Sequence, residues 1–172
     1  GKIENFSETE QLTLFHQLGL GALKFYILKV DPKKRIIFNP EESIDFHGFT
    51  GPFIQYTHAR ICSVLRKAAE RSISAEGYAG IQLLDPVERS LIMQLHEYPS
   101  IIRESADKFE PSTLANYLYQ LAKAYNHFYA TLPILNAVEE QQSKFRLQLS
   151  SAIASIIKKG MKLLGIDVPD QM

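Results

Sequence analysis

A single cysteine, Cys62, stands in the 172 residues of this chain. One thiol can build neither a disulfide framework nor a cysteine metal cluster, and a reducing, cytoplasmic setting follows as the default. No apolar run approaches the length of a membrane span, since Lys24, Lys29 and Asp31 interrupt the first helical region, and no secretory signal opens the chain. The five histidines are scattered, and none stands at metal-ligand spacing with a carboxylate or thiol. A glycine-rich phosphate loop between a strand and a helix is missing, and so is a nucleophile with a base beside it. Net charge is absent too: 19 basic residues offset 19 acidic ones. That balance counts against a broad basic footprint for nucleic acid. Three local basic clusters remain, Lys33–Arg35, Arg66–Lys67 with Arg71, and Lys158–Lys159 with Lys162, each readable as a solvated helix face or turn. Gly1 in place of an initiator methionine suggests a cloning boundary or an excised piece.

What the chain has is helical patterning. Hydrophobic residues make up 45% and charged residues 22%, an ordinary globular mix with enough apolar material for one sizeable core. Ser7-Glu8-Thr9-Glu10 reads as a capping box, and a first helix runs on through Leu12, Phe15, Ala22, Leu23 and Tyr26. Gly19 and Gly21 interrupt that helix and point to close backbone packing. Asp31 to Gly51 is a long connection with Ile36-Ile37-Phe38 as a short extended piece. Ser74 to Leu84 is a surface loop. Asp85 caps another helix carrying Leu91, Ile92, Leu95, Ile101, Ile102 and Phe109, which Pro99 should kink or divide. Pro111 begins a helix with Leu114, Leu118, Leu121 and Phe128 inward. The last helix runs from about Val138 to Leu164, ended by Gly165 in the left-handed conformation, with Pro169 preventing its resumption. No strand alternation and no internal repeat is visible. An all-α antiparallel helical bundle follows, with residues 1–50 leading into a bundle of residues 51–172.

The segment Gly48 to Lys67, GFTGPFIQYTHARICSVLRK, carries the clearest functional pattern. Pro52 suits the first helical position, with Thr50 or Gly51 as the cap. Ile54, His58, Ile61, Leu65 and Ala68 form an apolar stripe, which makes His58 a satisfied core histidine. Phe53, Tyr56, Arg60 and Lys67 form a second line, well over a right angle away. Flat rings beside a fixed positive charge suit a splayed nucleotide. The competing reading is a helical protein–protein interaction module whose exposed Phe53 and Tyr56 receive a partner's helix. Steep salt dependence of binding separates the two. Cys62 lies on neither line and reads as inert.

The pattern GxTGPxxQYxHARxxSxxRK resembles the start of the C-terminal helical domain of arginyl-tRNA synthetases, which are class I aminoacyl-tRNA synthetases. The likeness continues through EPSTLANYLYQLAKAYNHFY and RLQLSSAIASIIKKGMKLLGIDVPDQM, and so covers roughly Leu12 to Met172. The resemblance implies an anticodon-binding bundle. Its partners would be the anticodon loop of arginine tRNA and the catalytic domain of the same polypeptide, in a monomer with no membrane association. Activation of arginine with ATP and magnesium would belong to the parent enzyme, because the His-x-Gly-His motif and Lys-rich loop of class I catalytic domains do not occur here. The fragment itself would hold no cofactor, no metal and no catalytic residue. Carried over by matching position, the tRNA-facing residues are Phe53, Tyr56, Arg60, Tyr125, Tyr129 and Met172, reading the middle anticodon cytosine and the base after it. Phe53 stands where the family often has tyrosine. Tyr125 shares a helical line with Leu114 and Leu121, so spacing alone makes it core. Tyr129, one turn later, is the better candidate, while Tyr117 and Tyr119 pack. With Gly165 stopping the last helix, Asp167 to Met172 must turn back along the bundle.

Overall fold

The structure, a computed structural model, describes residues 6–74 and 83–172. Six helices occupy them: α1 (Glu8–Leu28), the single turn α2 (Pro40–Ser43), α3 (Gly51–Glu70), α4 (Pro86–Asp107), α5 (Pro111–Thr131) and α6 (Glu140–Leu163). No strand occurs among the described residues, and the fold is the all-α antiparallel bundle that the periodicity requires. Most of the expected surface loop between Ser74 and Leu84 lies outside the described residues.

The helix starts follow from their caps. Ser7 and Asp85 each form a full capping box, with Glu10 and Glu88 respectively. The Thr50 side chain accepts from the Phe53 amide, which makes Gly51 the first residue of α3 and moves Pro52 to the second position. Three helices end on the same paired main-chain bonds around a left-handed residue. In α6 that residue is Gly165, at φ +70°; the Gly165 amide donates to Lys162 and the Ile166 amide to Met161. Ser72 and Phe109 take the equivalent places after α3 and α4, at φ +56° and +54°. The Phe109 ring is therefore turned out, 86% exposed, and is not part of the α4 core face. Pro99 does not divide α4, which runs unbroken through it.

α3 is the central element: α1 packs along one side of it and α5 and α6 along others, while α4 covers α5 and α6. Ile54 and Ile61 of α3, Leu91 of α4, Leu118, Leu121 and Phe128 of α5, and Leu147, Ile153 and Ile157 of α6 form the core, each at most 1% exposed. Because α3 has neighbours on several sides, its buried surface exceeds one stripe and includes Gln55, Thr57 and Ala59. Phe53 consequently faces inward. Its ring lies 5.3 Å from that of Tyr119, which in turn meets Phe49 at 4.6 Å.

The apolar residues of α1 divide between core and surface. Leu12, Phe15 and Leu23 are exposed, while Leu14, Gly21, Ala22, Phe25 and Tyr26 are buried. At Gly21 α1 comes close to α3: a Cβ on Gly51 would sit 2.6 Å from the Gly21 carbonyl oxygen. Gly19 is different, with open space where its Cβ would go. The connection after α1 holds no strand at Ile36–Phe38. It is fixed instead by the Tyr26 hydroxyl donating to the Ile37 carbonyl and by Phe38 edge-on to the Tyr26 ring.

Candidate nucleic-acid interface

Arg60, half-buried on α3, organises the site. Its guanidinium lies between two rings, 4.8 Å from the centroid of Tyr56 and 5.2 Å from that of Tyr129. One of its nitrogens donates to Asn126 Oδ1 on α5, and another donates to the Tyr56 hydroxyl at 3.3 Å. Asn126 is fixed in turn, donating through Nδ2 to Thr57 Oγ1 at 2.8 Å. Planarity of the guanidinium allows stacking and hydrogen bonding at once, which a lysine could not reproduce. Tyr56 and Tyr129 are each a little over 40% exposed, so two ring faces and one cation meet solvent together.

Met172 completes this group because the tail is held along α3. Gln55 Nε2 donates to the Asp167 carbonyl at 2.8 Å, His58 Nδ1 to that of Pro169 at 2.9 Å, and Arg66 to that of Asp170 at 2.9 Å. The Lys158 and Lys162 ammonium groups grip the Asp170 and Asp167 carboxylates at 3.1 and 3.0 Å. Lys24 donates to the Gly165 carbonyl. Four helical side chains thus bond main-chain carbonyls of residues 165–170, and the tail turns back along the bundle as its proline and glycine require.

Tyr56, Arg60 and Met172 together form a partition with a recess on each side. One recess, of about 700 Å³, is apolar; Leu14, Phe15 and Leu18 of α1 and Ile44 and Phe46 of the connection line it. The exposed Phe15 ring is accounted for by this lining. The other, about 660 Å³, is bounded by Tyr129, the α5–α6 connection at Leu132–Asn136, and the C-terminal half of α3. The Arg146 guanidinium, buried, ties that connection to the bundle: it donates to Glu88 Oε1 at 2.7 Å and to the Pro133 carbonyl at 2.8 Å.

Of the six residues expected at the interface, Tyr56, Arg60, Tyr129 and Met172 come together at the partition. Tyr125 does not reach solvent: it is fully buried, its hydroxyl donates to Ser150 Oγ at 3.4 Å, and burial pushes its pKa up to about 12. Its ring centroid is 6.5 Å from that of Tyr129, which it backs. Phe53 is committed to Tyr119. Tyr125 therefore supports Tyr129 from behind, and Phe53 lines neither recess. Spacing gave no sign of Phe15, Phe46 or Asn126; the one local signal is that Asn126 sits in the aromatic block YNHFY.

The expectation that no histidine meets a thiol and a carboxylate needs correcting at one place. His58 and Cys62 are one turn apart on α3, and the returning tail adds Asp170, so that one ligand atom from each lies within 4.8 Å of the others. Here His58 Nδ1–H donates a hydrogen bond to the Pro169 carbonyl and Asp170 is engaged by Lys158, so the cluster is satisfied as a tail clasp. Burial lowers the His58 pKa and raises that of the Cys62 thiol, while the Lys158 hydrogen bond holds Asp170 below the usual carboxylate range.

Residues 54–172, from the first turn of α3 through the tail, match the DALR anticodon binding domain. The chain belongs to this family. Along its whole length it is 51% identical to an arginine–tRNA ligase of Flavobacterium psychrophilum and 47% identical to one of Amoebophilus asiaticus. It spans 28% and 29% of those proteins respectively. Among solved structures, 99% of the chain superimposes on 29% of the Thermus thermophilus arginyl-tRNA synthetase with a TM-score of 0.84 at 33% identity. An arginyl-tRNA synthetase of Plasmodium falciparum gives the same coverage and TM-score at 28% identity. The resemblance carried by the GxTGP…QY…HAR segment is thereby borne out.

Proposed function

We propose that this chain is the tRNA-reading part of an arginine–tRNA ligase, and that it receives the anticodon loop of arginine tRNA at the partition formed by Tyr56, Arg60, Tyr129 and Met172. The observation that carries the reading is the exposure of two aromatic faces around a buttressed guanidinium, between two recesses large enough for splayed nucleotides. Unstacked bases gain about 1–3 kcal/mol each on such faces, and groups beside them read their edges. The bases read are the middle anticodon cytosine and the one after it. Residues 51–172 form the binding bundle and residues 1–50 lead into it. Attachment of arginine, with ATP and magnesium, belongs to the longer enzyme, a cytoplasmic monomer whose catalytic domain is this chain's second partner. The exposed Leu12, Leu23 and Ile27 of α1 offer that domain an apolar surface.

Titration of the chain with arginine tRNA and with the same tRNA altered at the middle anticodon base tests the reading. Tyr56→Ala should weaken binding of the first by about 1–3 kcal/mol and narrow the difference between the two. Its stability should change by no more than about 0.5 kcal/mol, because the side chain is exposed. Equal affinity of the unaltered chain for both tRNAs would refute the reading.

A further inference from the structure

The line Tyr56, Arg60, Ser63, Lys67 and Arg71 repeats every three or four residues along α3 and follows one wall of the 660 Å³ recess from the partition to the helix end. Arg66 lies beside it on the same wall. No aspartate or glutamate lines the recess among the described residues. Among the described residues none of Arg60, Arg66, Lys67 and Arg71 forms a salt bridge there either: Arg60 is held by Asn126 and Tyr56, Arg66 by a main-chain carbonyl, and Arg71 by Asn136 Oδ1 at 3.1 Å. Elsewhere many cations are paired, among them Lys29, Lys108, Lys144, Lys158 and Lys162. Four cations with no salt-bridge partner among the described residues share this one wall of a chain with no net charge. Lys67 and Arg71, four residues apart on a helix, repel one another unless an anion lies between them.

We infer that this recess is a phosphodiester track: Lys67 and Arg71, with Arg66, hold the sugar–phosphate backbone of the nucleotides flanking those read at the partition. The inference rests on the anticodon reading and divides the labour within it. The N-terminal half of α3 meets bases and sets discrimination, while the C-terminal half meets phosphates and sets affinity without regard to sequence. The Leu132–Asn136 connection also lines the recess, and Asn136 Oδ1 accepts from one nitrogen of the Arg71 fork at 3.1 Å.

Binding of arginine tRNA and of a non-cognate tRNA to the chain, from 50 to 200 mM salt, tests this with Lys67→Gln, Arg71→Gln and the double variant. Each lost contact should reduce the slope of log affinity against log salt by about 0.7, so across that range the double variant's affinity should fall about sevenfold less than the parent's. Affinity for both tRNAs should drop by the same factor at low salt, leaving their ratio unchanged. Arg103→Gln, which removes equal charge from an exposed position on α4, should leave the slope as it is. An unchanged slope in the double variant, a slope change as large in Arg103→Gln, or a loss confined to arginine tRNA would overturn the track. Binding without preference by the unaltered chain would instead overturn the anticodon reading, with the slopes still deciding the track. Failure to bind any tRNA would overturn both.

Discussion

Gly19 and Gly21 are two residues apart on α1, yet alanine should act on them with opposite signs. At Gly19 a Cβ meets nothing within 4 Å. Alanine there keeps only its lower backbone entropy cost in a helix, and should stabilise by about 0.5–1 kcal/mol. At Gly21 a Cβ would lie 2.5 Å from Gln55 Nε2 and 2.9 Å from its Cδ and Oε1. Gln55 is fully buried, and its amide nitrogen already donates to the Gln17 and Asp167 carbonyls. It cannot swing aside and keep them. Losing two hydrogen bonds costs about 2 kcal/mol together, and overpacking adds about 1–3 kcal/mol. Helix propensity returns about 1 kcal/mol. The net is a destabilisation of roughly 2–4 kcal/mol, which lowers a urea midpoint by about 1–2 M at a slope typical of small domains. Since one of those bonds anchors the tail, amide exchange at residues 166–168 should accelerate as well. A Gly21→Ala protein as stable as Gly19→Ala, or an unchanged tail, would show that α1 and α3 have slack between them and that Gln55 is not the tail's anchor.

Arg146→Met should cost about 3–5 kcal/mol by leaving Glu88 buried without its partner; the double change Glu88→Gln/Arg146→Met should recover part of that in urea denaturation, and no recovery would place the loss elsewhere. His58 carries a folded-state pKa below its ordinary value, so in the window between the two the unfolded chain takes up the proton first as pH falls. Stability should be full above the ordinary histidine value and fall as pH drops through the folded one. Cys62, Asp170 and Lys158 are the other titratable groups facing the ring, and Asp170 titrates below that window because its pKa is lowered. His58→Asn, which can still donate to the Pro169 carbonyl, should flatten the thermal-melt dependence across this range.

How much of this was legible in the sequence varied with the physics involved. Caps were readable because they are local: Ser7, Thr50, Asp85 and Gly165 act within a few residues of themselves. The α5 face was readable because apolar residues recur there against a polar remainder, and the same periodicity placed Tyr125 beside Leu114 and Leu121, where burial confirms it. α1 was not, since apolar residues surround it almost completely and no period singles out a face; Leu14 and Phe25 are inward only because α3 lies there. Phe109 misled for another reason: its main chain takes the left-handed turn that ends α4, which carries the ring away whatever its hydrophobicity. Tyr56 and Arg60 were legible as off-stripe residues. Phe53, on the same line, was not legible as inward, because Tyr119 meets it from a helix some sixty positions on in the chain.

The tail shows most clearly where pattern reading stops. Its anchors are buried polar side chains of α3, Gln55 and His58, donating to main-chain carbonyls more than a hundred residues away. A carbonyl acceptor has no residue type, so no spacing announces the partnership, and a buried glutamine or histidine reads only as an exception to a stripe. Yet these exceptions determine the geometry at the interface. α3 turns its buried polar groups toward the tail, and thereby fixes Met172 beside the Tyr56 and Arg60 of its own opposite line. The zero net charge is resolved in the same way. Asp167 and Asp170 neutralise lysines to hold the tail, Glu88 neutralises Arg146 to hold the α5–α6 connection, and four of the cations with no salt-bridge partner among the described residues stand on the wall between them. A composition sum averages these two populations together; only the fold separates the charges that build the site from those free to meet an anion.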